Sequence, residues 1–178
     1  MLGRNSRDVG SRAAAVAGLT VVVVALAGCI APDIEVIGAL GVSVDEEQRP
    51  VLVVEACEGA AVGVYLSFDR QGLADDEENE QVAEWIPQAP VPGTSELALH
   101  APAGPWAGES VEVGVDRGYI ATAAGEGDRE VLSQVAFRGV DLAGMEPGTV
   151  YINDADSDVR ELAGRSPGDF TADVCSRG

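Results

Sequence analysis

The sequence contains no lysine, a single histidine and few aromatic residues. Its 178 residues include 11 basic side chains, all of them arginine, against 30 acidic ones, and the formal charge is −19. Such an acidic surface repels nucleic-acid phosphates, which excludes a nucleic-acid-binding role. The two Trp, three Tyr and three Phe residues leave little material for platforms that stack on bases or sugar rings. A disordered chain is also excluded, because 46% of the residues are hydrophobic.

The N-terminal residues follow the pattern of a secretory signal peptide. Arg4, Arg7 and Arg12 give the start of the chain a positive charge, and no charged residue occurs from position 13 to position 28. This apolar stretch is shorter than the roughly 20 residues that a membrane-spanning helix needs. Its length suits the hydrophobic region of a cleaved signal peptide.

The apolar stretch ends in Leu26-Ala27-Gly28-Cys29, and here the sequence resembles the bacterial lipoproteins. Their lipobox consists of a leucine, two small residues and an invariant cysteine. The resemblance implies that diacylglycerol is attached to Cys29 and that the chain is cut just before it. The lipid would then hold the protein on the outer face of the cytoplasmic membrane. A secreted or membrane-anchored protein in which the cysteine occurs by chance is the alternative.

Removal of residues 1–28 leaves 150 of the 178 residues, the size of one ordinary domain. We expect a short tether at 29–33 and a single domain at 34–178, which would be a monomer. The absence of lysine and the abundance of alanine, glycine and valine are typical of high-GC genomes, such as those of actinobacteria. The sequence therefore indicates an actinobacterial envelope lipoprotein.

Alternating apolar and polar residues predict that the mature chain is built from strands. The predicted strands are 34–44, 51–57, 61–68, 81–86, 96–100, 110–115, 118–123, 131–138, 148–152 and 169–175. Many short strands bounded by turns predict an all-β fold, an antiparallel two-sheet sandwich that is immunoglobulin-like in architecture. A closed barrel is the alternative. At most one short helical turn is expected, opened by a capping box at 158–161 and ended by Gly164.

Cys57 and Cys175 remain as a pair once Cys29 carries lipid. In an oxidising compartment such a pair is expected to form a disulfide. Glu55 and Asp173 each stand two residues before a cysteine, so strand alternation places them on the cysteines' face. A carboxylate in the middle of a core would need a partner. We therefore expect the bridge at the rim of the sandwich, tying a C-terminal strand to the second strand.

Residues 164–168 match the G-x-S-x-G pattern of hydrolases, in which the serine is the nucleophile. Ser166 is followed by Pro167, which has no N–H to contribute to an oxyanion hole, so a simple turn is favoured. A triad would have to use His100, the single histidine. Because His100 alternates with Leu97 and Leu99, we expect it to point to solvent. With one histidine, a His-rich zinc site is impossible.

Two acidic segments are weak candidates for a calcium site. The first has the i, i+2, i+4 spacing that opens an EF-hand loop, at Asp154, Asp156 and Asp158. It departs from that pattern at Val159, where glycine is needed, and at Arg165, where a bidentate glutamate belongs. The second is the acidic segment 69–80. The plain interpretation of both segments is a solvated acidic loop, and no metal or other cofactor is expected.

The sequence thus predicts a lipid-anchored β-sandwich that serves as a non-catalytic binding or structural module of the cell envelope. Its partner would be an envelope protein or a ligand that the sequence does not identify. The alternative is a weak binder of cations or small solutes through the acidic loops, and a hydrolase is a third possibility.

The lipid anchor is tested by the intact mass of the mature N-terminus. Because two acyl chains each add about 0.8 kcal/mol of membrane affinity per buried methylene, the wild-type protein should stay with the membrane fraction. Its first residue should be a diacylglyceryl-modified Cys29. Cys29→Ser should yield unlipidated precursor or released protein. An unmodified Cys29, or a mature chain that starts elsewhere, would contradict the prediction.

Overall fold

The computed structural model describes residues 34–74, 76–153 and 161–176, which fall within one compact unit. The strands are β1 (Glu35–Val44), β2 (Pro50–Phe68), β3 (Gln81–Trp85), β4 (Val91–Ala98), β5 (Gly118–Gly125), β6 (Glu130–Arg138), β7 (Val150–Asn153) and β8 (Leu162–Arg165). The helices are a 3₁₀ turn (Gly104–Trp106), α1 (Gly139–Leu142) and α2 (Pro167–Cys175).

Four strands form a closed mixed barrel. β1 is antiparallel to β2, β2 to β5 and β5 to β6, and β6 returns to β1 in parallel. β3 and β4 extend the sheet from β2, while β7 and β8 extend it from β1. The predicted two-sheet sandwich is therefore wrong, and the β-rich composition of the fold is confirmed. The parallel contact of β6 with β1 closes the ring that the sandwich would have left open.

The length of β2 is the main difference from the predicted strand pattern. The sequence predicts two strands, 51–57 and 61–68, separated by a turn at Glu58-Gly59. The structure instead continues one 19-residue strand through this point, with Gly59 at φ 65°. The register of β2 shifts against β4 between Ala56 and Ala61 and against β5 between Ala61 and Gly63, so the strand bends in this region without turning back. One half of β2 can therefore pair with β1 and the other half with β5.

Two glycines let other parts of the chain approach β1 closely. A Cβ atom at Gly38 would collide with the carbonyl oxygen of Glu55 on β2, and one at Gly41 with the side chain of Val150 on β7. Real Cβ atoms do not come this close to other atoms, so only glycine fits at these two positions. The tight contacts of β1 with β2 and β7 therefore depend on the missing side chains.

The main core includes Trp85 and Trp106, the two largest fully buried side chains. Each indole N–H is satisfied, Trp85 Nε1 by the carbonyl of Glu109 at 3.1 Å and Trp106 Nε1 by Ser95 Oγ at 3.0 Å. The segment 107–117 crosses this core as irregular backbone, so the predicted strand at 110–115 is wrong. Val111 and Val113 pack on the core as residues of a strand would, which explains the misleading alternation, while Val115 is 63% exposed.

The C-terminal part differs most from the prediction. Residues 169–175, predicted as a strand, belong to α2, and Gly164, predicted to end a helical turn, lies inside β8. Residues 158–160 of the predicted helical turn lie outside the described residues. In the part of the chain that the structure describes, the two short α-helices are α1 and α2, in place of the single turn expected.

Cys57 of β2 and Cys175 of α2 form a disulfide, with their Cα atoms 5.2 Å apart. The predicted pairing and its attachment to the second strand are confirmed, but the bridge holds a helix and not a strand. It lies beside a small second core between α2 and the barrel strands, formed by Ala39, Val53, Val150 and Phe170. The bridge thus fastens the helix to the outer face of the barrel, and the predicted position at the rim of a sandwich is wrong.

Removal of this bridge should lower the stability sharply. The cysteines are 118 residues apart in sequence, and closing so long a loop contributes on the order of 5 kcal/mol in the chain-entropy model. The double variant Cys57→Ser/Cys175→Ser should therefore melt more than about 10 °C below the oxidised wild type. Reduced wild type is the control and should melt close to the variant. If the double variant melted within about 2 °C of the oxidised wild type, the stabilising role of the disulfide would be contradicted.

Candidate binding cleft

A cleft of about 570 Å³ lies on the outer face of β1. The first half of β1 forms its floor, and Val174 and the Cys57–Cys175 bridge form one wall. The other wall consists of residues from β6 and β7: Ser133, Gln134, Ile152 and Asn153. Small-molecule sites typically measure about 300–1,000 Å³, so this cleft is large enough to hold one.

The lining of the cleft combines apolar surface with negative charge. Val36, Ile152 and Val174 contribute apolar side chains, and Val36 remains 54% exposed. Glu35 and Glu58 are exposed carboxylates of the same lining. Such a cleft suits an apolar group, and its electrostatic field disfavours an anion.

Asn153 fixes the wall on the β6 side. Its Oδ1 accepts a hydrogen bond from the backbone N–H of Ala136 at 2.7 Å, and its Nδ2 donates to the carbonyl of Ala136 at 2.9 Å. The side chain amide thereby takes the place of a neighbouring strand at this point of β6. The wall is held by hydrogen bonds and is preformed. No local sequence pattern predicts this interaction, because Asn153 and Ala136 are 17 positions apart in the chain.

The opposite wall depends on the start of α2. Ser166 is the N-cap, and its Oγ accepts from the backbone N–H of Asp169 at 3.2 Å and donates to the Asp169 carboxylate at 2.7 Å. Pro167 occupies the first helical turn, where its missing N–H has no cost. The G-x-S-x-G match is therefore a helix cap, and its serine hydroxyl is used in the cap. A serine followed by a proline and then by Asp169 is a typical helix start, and this pattern could have predicted α2.

A buried carboxylate lies beneath α2. Glu55 is 3% exposed, and its Oε2 accepts hydrogen bonds from Thr94 Oγ1 of β4 at 2.5 Å and Thr171 Oγ1 of α2 at 2.7 Å. The expectation that this carboxylate would need a partner is confirmed, and it has two. Asp173, expected on the same strand face as Cys175, instead pairs with Arg165 of β8 at 3.1 Å. Polar contacts thus tie α2 to two strands, β2 through Glu55 and β8 through Arg165.

His100 does not point to solvent as predicted. It is partly buried, and its Nδ1 is inaccessible and has no hydrogen-bond partner among the described residues. The alternation with Leu97 and Leu99 is misleading because β4 ends at Ala98 and a turn follows. His100 is not part of the cleft lining, so the structure does not bring it to the candidate site.

The acidic segment 69–80 is organised by Arg70. The guanidinium donates to the carbonyls of Ala74 at 2.6 Å and Glu77 at 2.8 Å, and to Asn79 Oδ1 at 3.2 Å. These oxygens are the kind that a calcium ion would use, and here they bind a side-chain cation. The loop is therefore less suited to calcium than its acidic sequence suggests.

The remaining predicted site residues are not described by the structure. Cys29, Asp154, Asp156 and Asp158 lie outside the described residues, so lipidation and the weak calcium site stay predictions. Among the helices of the described residues, none is long and apolar enough to cross a membrane. No protein-family model, curated protein or solved structure matches the chain.

The seating of α2 on Glu55 can be tested by removing one hydroxyl. Thr171→Val keeps the shape of the side chain but removes a hydrogen bond to a carboxylate, which typically contributes about 1.5–3 kcal/mol. The free energy of unfolding, measured by urea denaturation, should fall by that amount. Thr122→Val, at an exposed position of β5, is the matched control and should change it by less than about 0.5 kcal/mol. Equal effects of the two substitutions would contradict the role of Thr171.

Proposed function

We propose that this protein is a lipid-anchored, extracytoplasmic and non-catalytic binding module whose ligand site is the cleft on β1. The cleft itself is the observation that carries the proposal. It is large enough for a ligand, its lining is partly apolar, and a disulfide and the Asn153 hydrogen bonds hold its walls. Preformed apolar concavities with a few polar groups are the usual form of ligand sites.

The compartment is inferred from two independent features. Disulfides persist in oxidising environments outside the cytoplasm, and Cys57–Cys175 is one. The lipobox-like end of the apolar N-terminal stretch supports the same compartment and adds a membrane anchor at Cys29.

The position of the cleft in the chain narrows the class of ligand. Ile34, the first described residue, is 63% exposed and adjoins Glu35 and Val36 of the cleft lining. Cys29 is five positions before Ile34, so a fully extended tether reaches at most about 18 Å. A lipid on Cys29 would therefore hold the cleft close to the bilayer surface. Molecules with an apolar chain are concentrated there.

The charge of the protein narrows the class further. The formal charge is −19, and Glu35 and Glu58 belong to the lining itself. An anionic head group would be repelled, while a neutral or cationic one would be accepted. The best-supported ligand is therefore a neutral or cationic amphiphile that inserts an apolar chain into the cleft.

Two sets of hydrogen bonds favour ligand binding in the cleft over catalysis at Ser166 and over cation binding by the acidic loop. The one serine in a hydrolase-like motif, Ser166, uses its hydroxyl to cap α2. The acidic loop that could hold a cation already binds the guanidinium of Arg70. The cleft on β1, in contrast, has a partly apolar lining and walls held by a disulfide and hydrogen bonds.

The proposal is tested by calorimetric titration of the chain from residue 29 carrying Cys29→Ser. The probes are dodecyltrimethylammonium, dodecyl maltoside and dodecyl sulfate, each below its micelle concentration. The cationic and neutral probes should bind with 1:1 stoichiometry, and dodecyl sulfate should bind at least about tenfold more weakly, a difference of about 1.4 kcal/mol. Equal affinity for all three probes would contradict the charge argument.

A pair of valine substitutions localises the site. Val174→Trp fills the cleft and should weaken binding of the cationic probe by about tenfold or more. Val140→Trp makes the same change at a position of α1 that is 52% exposed and outside the cleft lining. It should leave the affinity within about twofold. Equal affinities of the two variants would overturn the cleft as the binding site.

A further inference from the structure

Three potential metal ligands meet at the base of the cleft wall. A carboxylate oxygen of Glu55 and the sulfurs of Cys57 and Cys175 all lie within 4.8 Å of one another. Both hydrogen bonds to the Glu55 carboxylate end on Oε2, so within the described residues no donor reaches Oε1. The side chain as a whole is 3% exposed, but Oε1 is not among the fully buried atoms that lack a partner, so this oxygen keeps contact with solvent and can take a further ligand.

We propose that reduction of the Cys57–Cys175 bridge converts this cluster into a zinc site. Two thiolates and one carboxylate form a ligand set typical of Zn²⁺, and the thiolates disfavour hard cations such as Ca²⁺ and Mg²⁺. Since both cysteines line the cleft, water can reach the fourth position of a tetrahedral ion. This site is independent of the amphiphile ligand proposed above.

The chemistry balances with a dithiol as the reductant. The dithiol gives two electrons and two protons to the Sγ–Sγ bond, which breaks to two thiols, and the reductant leaves as its own disulfide. Zn²⁺ then displaces both thiol protons to solvent and takes the Glu55 carboxylate as its third ligand. Because the ligands must lose protons, the affinity should rise with pH.

The backbone geometry already suits such a site. Zn–S bonds of about 2.3 Å place two tetrahedral sulfur ligands roughly 3.8 Å apart, so the sulfurs must separate after reduction. The Cα atoms are 5.2 Å apart. Cys57 lies where β2 shifts register, and Cys175 is the last residue of α2. Both positions can absorb a small movement without breaking the barrel.

Thr94 and Thr171 would hold the metal-binding carboxylate in place. Their hydroxyls already fix Glu55 Oε2 from two different elements, β4 and α2. Such outer hydrogen bonds orient a metal ligand and reduce the cost of binding. The zinc ion would then keep α2 on β2 when the covalent bridge is absent.

The experiment uses the chain from residue 29 carrying Cys29→Ser without detergent, so that no third thiol competes and no amphiphile occupies the cleft. After reduction with a dithiol and its removal under nitrogen, equilibrium dialysis should find one Zn²⁺ per chain. Cd²⁺ should produce the ultraviolet thiolate-to-metal absorption, and Zn²⁺ should raise the melting temperature of the reduced protein. The oxidised protein should show none of these effects. Reduced protein that binds no more Zn²⁺ than its Cys57→Ser/Cys175→Ser variant would overturn the proposal.

Two matched glutamate substitutions test the third ligand. Glu55→Gln keeps the shape of the side chain and an oxygen that accepts hydrogen bonds from the two threonines. It should weaken Zn²⁺ binding by at least about tenfold, because replacing even a residue that only hydrogen-bonds to a metal ligand typically costs that much. Glu96→Gln makes the same change in an exposed residue of β4 outside the cleft lining, and should leave the affinity unchanged within about twofold. Since thiols in an unfolded chain would bind Zn²⁺ without Glu55, equal affinities of the two variants would overturn the site.

Discussion

The bend in β2 is the constraint on which the rest of the structure depends. β2 has 19 residues. One half of it pairs with β1 and β4, and the other half pairs with β5 and β3. Without the bend at Gly59, these partners would form one open sheet with unpaired edges. With it, β5 and β6 can return to β1 and close the ring. The barrel, its core of buried tryptophans and the outer face that carries α2 all follow from this one continuous strand.

The outer face of the barrel is where stability and the candidate site meet. An apolar contact of Phe170 with Ala39, Val53 and Val150 would suffice to seat a short helix in many proteins. Here a buried carboxylate and a disulfide are added at the same contact. Burying a carboxylate has a desolvation cost, and the hydroxyls of Thr94 and Thr171 reduce it by donating to Oε2 of Glu55.

The sequence predicts the parts of this structure that depend on local patterns. Alternation located most strands, such as β1 and β6, to within a few residues, and cysteine counting found the disulfide. The prediction of secondary structure from alternation failed where a tertiary contact overrides the local pattern. Val111 and Val113 alternate like a strand but pack on the core from irregular backbone, and α2 is too short for its helical period to stand out. The cleft could not be predicted, because its walls come from segments far apart in the chain.

The two proposals share one structural element, the Cys57–Cys175 disulfide. A bridge whose single role was to fasten α2 could lie anywhere along the helix, buried or not. Cys57 and Cys175 instead lie between the open cleft and the buried Glu55. The sulfurs line the cleft, and a carboxylate oxygen of Glu55 lies within 4.8 Å of them. Reduction of the bridge would therefore alter one wall of the cleft as well as free the sulfurs for the proposed zinc ion, while each proposal keeps its own test.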